Sequence, residues 1–238
     1  MVETETQTGT GGRVVSQQAP NRRRIAVLGI GGEGGGVIEK VQDLAAVDCL
    51  ELAVADTDQR TFEQLRGVLQ IPLGGDWDCQ SGAGGDVKLG ERAAAASVRE
   101  LQEFIKDAEL LIVIAGLGGG TGSGAVKVVA RLAREANVPA FFLVTLPFGF
   151  EGNWRRKQAE EVLKPLREQS DAVILVQNDL LFNALAADTP AAVAFERADA
   201  ILARAVNGLS GIAWANWMLT ADFAAIRAVL RKHPDSCY

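Results

Sequence analysis

Short apolar runs alternate along this chain with longer segments whose apolar residues recur at helical spacing. The runs are nearly continuous in Val, Ile, Leu, Ala and Phe, which predicts buried strands over 25–30, 50–55, 110–115, 140–145 and 172–176. The helical spacing predicts helices over 34–47, 61–69, 88–107, 125–136, 155–169, 191–209 and 222–232. Continuous apolar strands that alternate with helices are typical of a parallel sheet covered on both faces. We therefore expect an α/β fold, a three-layer, mostly parallel, Rossmann-like sheet.

The two ends of this pattern set the expected organisation. Residues 1–21 are polar, rich in Thr, Gln and Gly, and without periodicity, which predicts a disordered N-terminal arm. Residues 72–85 are rich in Gly and Asp and predict a long loop inside the domain. Apolar residues make up 48% of the 238, enough to bury a full core over 22–238.

The charge balance and the rare residue types exclude several classes of function. The 24 Lys and Arg are outnumbered by 30 Asp and Glu, whereas a nucleic-acid surface normally needs a basic face. Three scattered cysteines and the single His233 offer neither metal-ligand spacing nor a Ser–His–Asp triad. No apolar run approaches the roughly 18 residues that span a membrane, and the acidic start is unlike a signal peptide. We expect a cytoplasmic protein without nucleic-acid binding, membrane insertion or a metal site of its own.

The stretch Gly118–Gly124, of sequence GGGTGSG, carries the most specific chemistry in the chain. It follows a predicted strand and opens a predicted helix. Glycines let backbone N–H groups approach an anion, and a helix N-terminus supplies unpaired donors and the positive end of the dipole. Thr121 and Ser123 add hydroxyl donors. This pattern predicts a phosphate cradle; the alternative interpretation is a flexible glycine turn.

A second glycine loop, Gly29–Gly36, directly follows the first strand. It contains a G-x-G-x-x-G match, and Asp56 lies at the end of the second strand, which together form a weak dinucleotide fingerprint. Glycines that serve only tight strand–helix packing are the other interpretation. Two glycine loops at neighbouring strand ends would grip a chain of phosphates, and a third loop, 82–86, would close over its end. The P-loop pattern G-x-x-x-x-G-K-[ST] is absent.

Several blocks of the chain together resemble the tubulin/FtsZ family, with the bacterial cell-division branch, FtsZ, most similar. Besides the first glycine loop, these blocks are 115–124, 145–152, 177–181, 194–199 and 205–208. They share the order and spacing of the family and extend over nearly all of the predicted domain. The resemblance implies a GTPase-domain fold that binds GTP or GDP, and a triphosphate would bring Mg²⁺ with it.

The resemblance also implies a role for individual residues. Phosphates would lie on the glycine loops, and Glu151 and Arg155 fall where the family contacts the ribose. Asp199 falls where the family reads guanine, a role that suits a carboxylate because it accepts from both N1–H and the exocyclic amine. The alternatives are a solvated helix residue for Asp199 and a surface charge for Arg155. The implied binding residues are Gly31, Gly32, Gly34, Gly35, Gly36, Gly84, Gly118, Gly119, Gly120, Thr121, Gly122, Glu151, Arg155 and Asp199.

The chain departs from the family pattern at the nucleotide loop and at the catalytic loop. Gly36 stands where the family has an asparagine, and Glu33 replaces a glycine, which predicts lower affinity. The catalytic pattern N-x-D-x-x-[DE] corresponds to 220–225, where Thr220 and Ala225 replace family residues and Asp222 remains as the catalytic candidate. Loss of a group that positions the attacking water typically lowers the rate about 10²–10⁴-fold.

From the resemblance we expect residues 22–238 to form the GTP-binding domain alone, without the second, C-terminal domain of the family. We therefore expect a GTP-binding protein related to bacterial cell division or cytoskeletal filaments, with weakened self-activated hydrolysis. It would regulate or cap filaments of full-length FtsZ-like subunits. An active stand-alone GTPase, a non-binding pseudoenzyme that acts as an interaction module, and a dinucleotide-binding redox domain are the alternatives. Whether the chain is an enzyme stays open at this point.

Overall fold

The computed structural model describes residues 24–44, 50–63, 65–75, 81–180, 185 and 189–214, with side chains described as far as 211. Its strands are β1 Ile25–Ile30, β2 Leu50–Asp56, β3 Leu69–Pro72, β4 Leu110–Gly116, β5 Ala140–Leu146 and β6 Ala172–Gln177. Its α-helices are α1 Gly31–Leu44, α2 Val87–Ala96, α3 Val98–Ile105, α4 Gly120–Glu135, α5 Asn153–Gln169 and α6 Ala191–Trp214. Short 3₁₀ turns include Gln59–Phe62 and Gly149–Glu151.

The six strands form one sheet in the order β3-β2-β1-β4-β5-β6, and every pair is parallel. The chain grows outward from β1 to β3, then returns to the other side of β1 with β4. The strand order therefore reverses between β1 and β4, which is where ligands bind in open α/β sheets. The predicted parallel α/β fold is confirmed.

Helices cover both faces of the sheet and close two separate cores. One core packs the sheet against α2 to α5, through buried residues such as Leu101, Phe104, Val129 and Leu166. The other packs it against α1 and α6, through Val37, Ile38, Val41, Leu202 and Val206. Near-continuous apolar strands are what a sheet buried on both faces requires.

The helix predicted over 61–69 is wrong. The structure has the 3₁₀ turn Gln59–Phe62 there, and then β3, which pairs in parallel with β2 from Leu69 onward. The apolar spacing of Phe62, Leu65 and Leu69 resembled a helix. Gly67 adopts φ +71°, which turns the chain toward the sheet edge.

The single helix predicted over 88–107 is two helices, α2 and α3, that meet at Ser97. The Ser97 hydroxyl donates to the Pro72 carbonyl at 3.2 Å and accepts from the Gly74 N–H at 3.1 Å. These bonds to the segment after β3 hold Ser97 at φ −105° and ψ +28°, outside the helical region. The predicted arm 1–21 and the predicted helix 222–232 lie outside the described residues. Within the described part of the chain, no helix is long and apolar enough to cross a membrane.

Candidate functional site

Two helix N-termini converge at the point where the strand order reverses. Helix α1 follows β1 with no intervening loop, and α4 follows β4 after a turn of three residues. The two starts lie so close that a Cβ on Gly31 would be 3.5 Å from the backbone N of Gly122. Both present unpaired N–H groups and a positive dipole end toward the same cleft, an arrangement that attracts anions.

The glycines of the α4 turn fall into two groups. Gly118 has φ +96°, and a Cβ there would lie 2.8 Å from the Arg155 carbonyl oxygen; a Cβ on Gly122 would overlap the Gly116 carbonyl. These glycines are required for close packing. In contrast, a Cβ on Gly119 would meet no atom within 4 Å, and the same holds for Gly32 at the start of α1. Gly119 and Gly32 therefore border open space, as a cradle for a ligand would.

Other glycines at the start of α1 pack against the protein. A Cβ on Gly34 would lie 2.9 Å from the Ile114 carbonyl oxygen, and a Cβ on Gly35 would lie 2.9 Å from a Thr61 methyl. Tight packing therefore accounts for Gly34 and Gly35, whereas the phosphate cradle stays a prediction for Gly32, which borders open space.

Two side-chain hydroxyl groups form hydrogen bonds at the start of α4. Thr121 Oγ1 lies 2.6 Å from Thr57 Oγ1, which follows β2, and both residues are buried. Ser123 Oγ accepts from the Gly118 N–H at 2.8 Å and is fully buried. Thr121 is positioned at the cleft, whereas Ser123 stabilises the turn from within.

The third loop lies against the same helix start. A Cβ on Gly120 would be 2.8 Å from the Ala83 Cβ and 2.9 Å from the Asp86 N. Asp86 begins α2 by accepting from the N–H groups of Lys88 and Leu89. Gly84 has φ +57°, and a Cβ there would meet no atom within 4 Å.

Gln158 on α5 joins two of these loops and was missed by the sequence analysis. Its amide Nε2 donates to the carbonyl oxygens of Gly85 at 2.9 Å, Gly118 at 3.3 Å and Gly119 at 3.4 Å. No motif marks it, because its partners are backbone atoms that only the fold brings together.

Glu151 and Arg155 form an ion pair beside the α4 turn. Arg155 Nη1 donates to Glu151 Oε2 at 2.7 Å, and Glu151 Oε1 accepts from the Phe148 N–H at 2.8 Å. The carboxylate is nearly buried, while the guanidinium is half exposed. The pair therefore lies at the edge of the cleft with one charged member facing solvent.

Asp199 on α6 lies directly against α1. A Cβ on Gly36 would be only 2.8 Å from Asp199 Oδ2, so the glycine permits this contact. Burial raises the pKa of Asp199 to about 6, a rise that Lys40 opposes and the carboxylates of Glu196 and Glu39 reinforce. The structure places Asp199, which the resemblance associates with guanine, next to Gly36, which stands where the family has an asparagine.

Glu33, in the first turn of α1, extends its side chain across the end of β4. Its Oε1 accepts from Thr145 Oγ1 at 2.6 Å, and a Cβ on Gly116 would overlap its carboxylate. Burial raises the pKa of Glu33 to about 7; the Thr145 hydrogen bond opposes this rise, and the nearby carboxylates of Asp199 and Glu151 add to it.

Asn178, immediately after β6, completes this part of the cleft. It is 1% exposed, it interacts with the Glu33 carboxyl group, and within the described part of the chain its Oδ1 has no hydrogen-bond partner. Thr145 and Asn178 were missed as individual site residues, although both lie in blocks that carried the resemblance.

Asp56 does not behave as the acid of a dinucleotide site. Its carboxylate accepts from the N–H groups of Thr57 and Asp58 and from Thr61 Oγ1 at 2.7 Å. The residue is 4% exposed, and its oxygens are occupied by its own turn. Burial, opposed by these bonds, raises the pKa of Asp56.

The predicted catalytic Asp222, together with Thr220 and Ala225, lies outside the described residues. Within the described ranges, no three His, Cys, Asp or Glu side chains are grouped closely enough to hold a metal ion.

The sequence matches the family profile described as Tubulin/FtsZ family, GTPase domain, over residues 24–186. The chain belongs to the tubulin/FtsZ family. It is 34% identical over 216 residues to the cell division protein FtsZ of Helicobacter pylori, covering 91% of this chain and 56% of that protein. It is 37% identical over 210 residues to cell division protein FtsZ 1 of Pyrococcus abyssi, covering 88% and 56%. The chain thus spans little more than half the length of these curated relatives.

Solved structures of FtsZ and its relatives share the fold. An FtsZ dimer of M. jannaschii superposes with a TM-score of 0.81 at 32% identity, over 88% of this chain and 61% of that one. CetZ2 of Haloferax volcanii, solved as a GTPγS-bound protofilament, superposes with a TM-score of 0.70 at 28% identity, over 78% and 57%. The six-stranded parallel sheet therefore has the fold shared by FtsZ and its relatives.

Proposed function

We propose that this FtsZ-type domain binds guanine nucleotide in the cleft at the carboxyl edge of the sheet and hydrolyses GTP weakly on its own. The observation that carries the proposal is the convergence of two glycine-rich helix starts on open space at Gly32 and Gly119. Backbone N–H groups and a dipole end from each helix would neutralise the phosphates.

The polar groups around the cradle fit the rest of a nucleotide. Thr121 and the third loop, at Gly84, would reach the phosphates, and the Glu151–Arg155 pair would lie beside the ribose. Asp199, next to Gly36, would accept hydrogen bonds from guanine. Mg²⁺ would be held chiefly by phosphate oxygens and water, as this ion commonly is in nucleotide sites.

The weakened hydrolysis follows from the sequence at 220–225. Thr220 and Ala225 stand where the family pattern has an asparagine and an acid. An alanine cannot orient or polarise water, so we expect turnover about 10²–10⁴-fold below that of a subunit with the complete pattern.

The test measures nucleotide content and turnover on one purified sample. The protein is denatured, any released nucleotide is identified by chromatography, and added GTP is assayed for phosphate release. We expect bound guanine nucleotide, negligible turnover, and loss of binding in Thr121→Val.

The double variant Thr220→Asn, Ala225→Asp should raise turnover if neighbouring copies meet. If the purified protein holds no nucleotide and does not bind added GTP, the proposal of nucleotide binding is overturned. A pseudoenzyme that acts as an interaction module is then favoured. Turnover typical of a complete catalytic loop would favour the stand-alone GTPase instead.

We also propose that the domain works in the cytoplasm on filaments of full-length FtsZ-like subunits. Phe150 and Trp154 lie beside the cleft and are 54% and 63% exposed, unusual for aromatic side chains away from a contact. A neighbouring subunit that covered them would bring its own catalytic loop to the nucleotide. Mixing the domain with a full-length FtsZ should change filament length and GTP turnover, and Trp154→Ala should reduce the change. No effect at equimolar ratio would exclude this role.

A further inference from the structure

The Glu33 side chain extends along the carboxyl edge of the sheet, from the start of α1 toward β5. It leaves the first turn of α1, passes over Gly116 at the end of β4, and ends in a hydrogen bond to Thr145 on β5. The two phosphate-binding helix starts lie toward β1 and β4. The carboxylate of Glu33 therefore lies on the other side of them, toward β5 and β6.

The groups around this carboxylate are those expected to line a nucleoside pocket. Thr145 and Asn178 end the neighbouring strands, and the carboxylates of Glu151 and Asp199 are near enough to affect Glu33 electrostatically. Asn178 is 1% exposed, yet its Oδ1 has no hydrogen-bond partner among the residues that the structure describes. Buried polar atoms normally find a partner, so this orphaned oxygen points to a ligand that would share the pocket.

We infer that the Glu33 side chain is a built-in plug of the nucleoside part of the cleft, which a nucleotide must displace before it can bind. The inference rests on the proposed nucleotide function and adds its regulation. Because Thr145 Oγ1 already donates to Glu33, a sugar or base would have to break that bond and move the carboxylate aside. The phosphate cradle at Gly32 and Gly119 stays open while the plug is in place.

The plug predicts a gain of affinity on removal of a single side chain. Glu33→Ala removes the plug and keeps a good helix former in α1. Glu33→Gln keeps its shape and its acceptor for Thr145 but removes the charge. Asp43→Asn, an exposed change on the same helix, is the matched control for net charge. Folding of each variant is checked by thermal unfolding before its Kd is measured.

Two probes separate a plug from simple charge repulsion. GTP carries the sugar and base, whereas inorganic tripolyphosphate carries only phosphates. We expect Glu33→Ala to bind GTP about ten-fold more tightly or better, a difference that a titration resolves easily. Tripolyphosphate affinity should change far less, and Glu33→Gln and Asp43→Asn should resemble the wild type with GTP.

Other outcomes overturn the plug in distinguishable ways. If Glu33→Gln gains as much as Glu33→Ala, the carboxylate acts only through its charge. If the wild type binds GTP and Glu33→Ala binds no better, the plug is wrong and nucleotide binding stands. If neither protein binds GTP, the plug and the proposed function both fail.

Discussion

Thr57 and Thr121 are 64 positions apart in the sequence, yet their hydroxyl oxygens lie 2.6 Å apart in the interior. The contact joins the end of β2 to the first turn of α4 across the strand β1. It fixes one wall of the cleft by a hydrogen bond between two elements that are far apart in the sequence.

Thr121→Val should destabilise the protein by about 1–3 kcal/mol, because it leaves the buried Thr57 hydroxyl without the partner that it has among the described residues. Thr57→Val should destabilise the protein in the same way, because it leaves the Thr121 hydroxyl without its Thr57 partner. The double variant should lose less than the sum of the two, since neither hydroxyl is then orphaned. Denaturant unfolding of all four proteins gives the coupling energy; strictly additive losses would show that the two hydroxyls do not interact.

The sequence predicts the sheet well because strands that are buried on both faces are nearly continuous runs of apolar residues. Each of the strands it predicted is present, and the glycine signature correctly predicts a turn that opens α4. The edge strand β3 was missed because it has four residues and buries only Ile71, so neither length nor alternation marks it. The break at Ser97 was missed because its cause is a pair of hydrogen bonds to a distant segment.

The candidate site was predictable where chemistry depends on local sequence and unpredictable where it depends on the fold. The glycine turns at the starts of α1 and α4 follow from local sequence, whereas the contact between Asp199 and Gly36 is visible only in the fold. Gln158 carries no local signal, because it binds carbonyl oxygens. The sequence likewise does not predict the orientation of the Glu33 side chain, because a glutamate in the first turn of a helix can face either a bound anion or solvent.

Gly118→Ala and Gly119→Ala should have opposite effects although they are adjacent. Gly118 has φ +96° and lies against the Arg155 carbonyl, so alanine there should destabilise the fold by about 2 kcal/mol or more. The free energy of unfolding of Gly119→Ala should stay within a few tenths of a kcal/mol of the wild-type value, because the new Cβ meets open space. The same Cβ would project into the cradle and weaken GTP binding. Thermal unfolding and a GTP titration separate the two effects; equal Tm losses would contradict the assigned packing.

Gln158→Leu should loosen the cradle without unfolding the domain. It removes the amide that donates to Gly85, Gly118 and Gly119, a loss of about 1 kcal/mol of local stability. Hydrogen exchange of the amides in 84–86 and 117–120 should become about five-fold faster, since local opening costs that much less. Gln169→Leu, exposed at the end of the same helix, is the control and should leave exchange unchanged. Unchanged hydrogen exchange in Gln158→Leu would mean that the two loops keep their conformation without the hydrogen bonds of the Gln158 side chain.

Glu33→Gln should alter the pH dependence of stability in a defined direction. The pKa of Glu33 is about 7 in the folded protein against 4.5 for the free group, so between these values the folded state holds a proton that the unfolded state has released. Stability therefore falls as pH rises from 4.5 to 7, by at most about 3 kcal/mol for this shift. Glutamine does not titrate and keeps an acceptor for Thr145. The stability advantage of the variant over the wild type should be small at pH 5 and should grow up to pH 8.

Asp199 titrates in the same direction, with a pKa of about 6, and Asp56 also has a raised pKa. Both are present in the wild type and in Glu33→Gln, so their own titration largely cancels in the difference between the two proteins, which reports Glu33 together with its interaction with Asp199. Asp43→Asn, exposed on α1, provides the baseline for removing one negative charge. Unfolding free energies at half-unit steps from pH 5 to 8 give the two curves. A constant separation over this range would mean that the Glu33 charge is solvated, and a carboxylate in water cannot be the group that fills the pocket between Gly116 and Thr145.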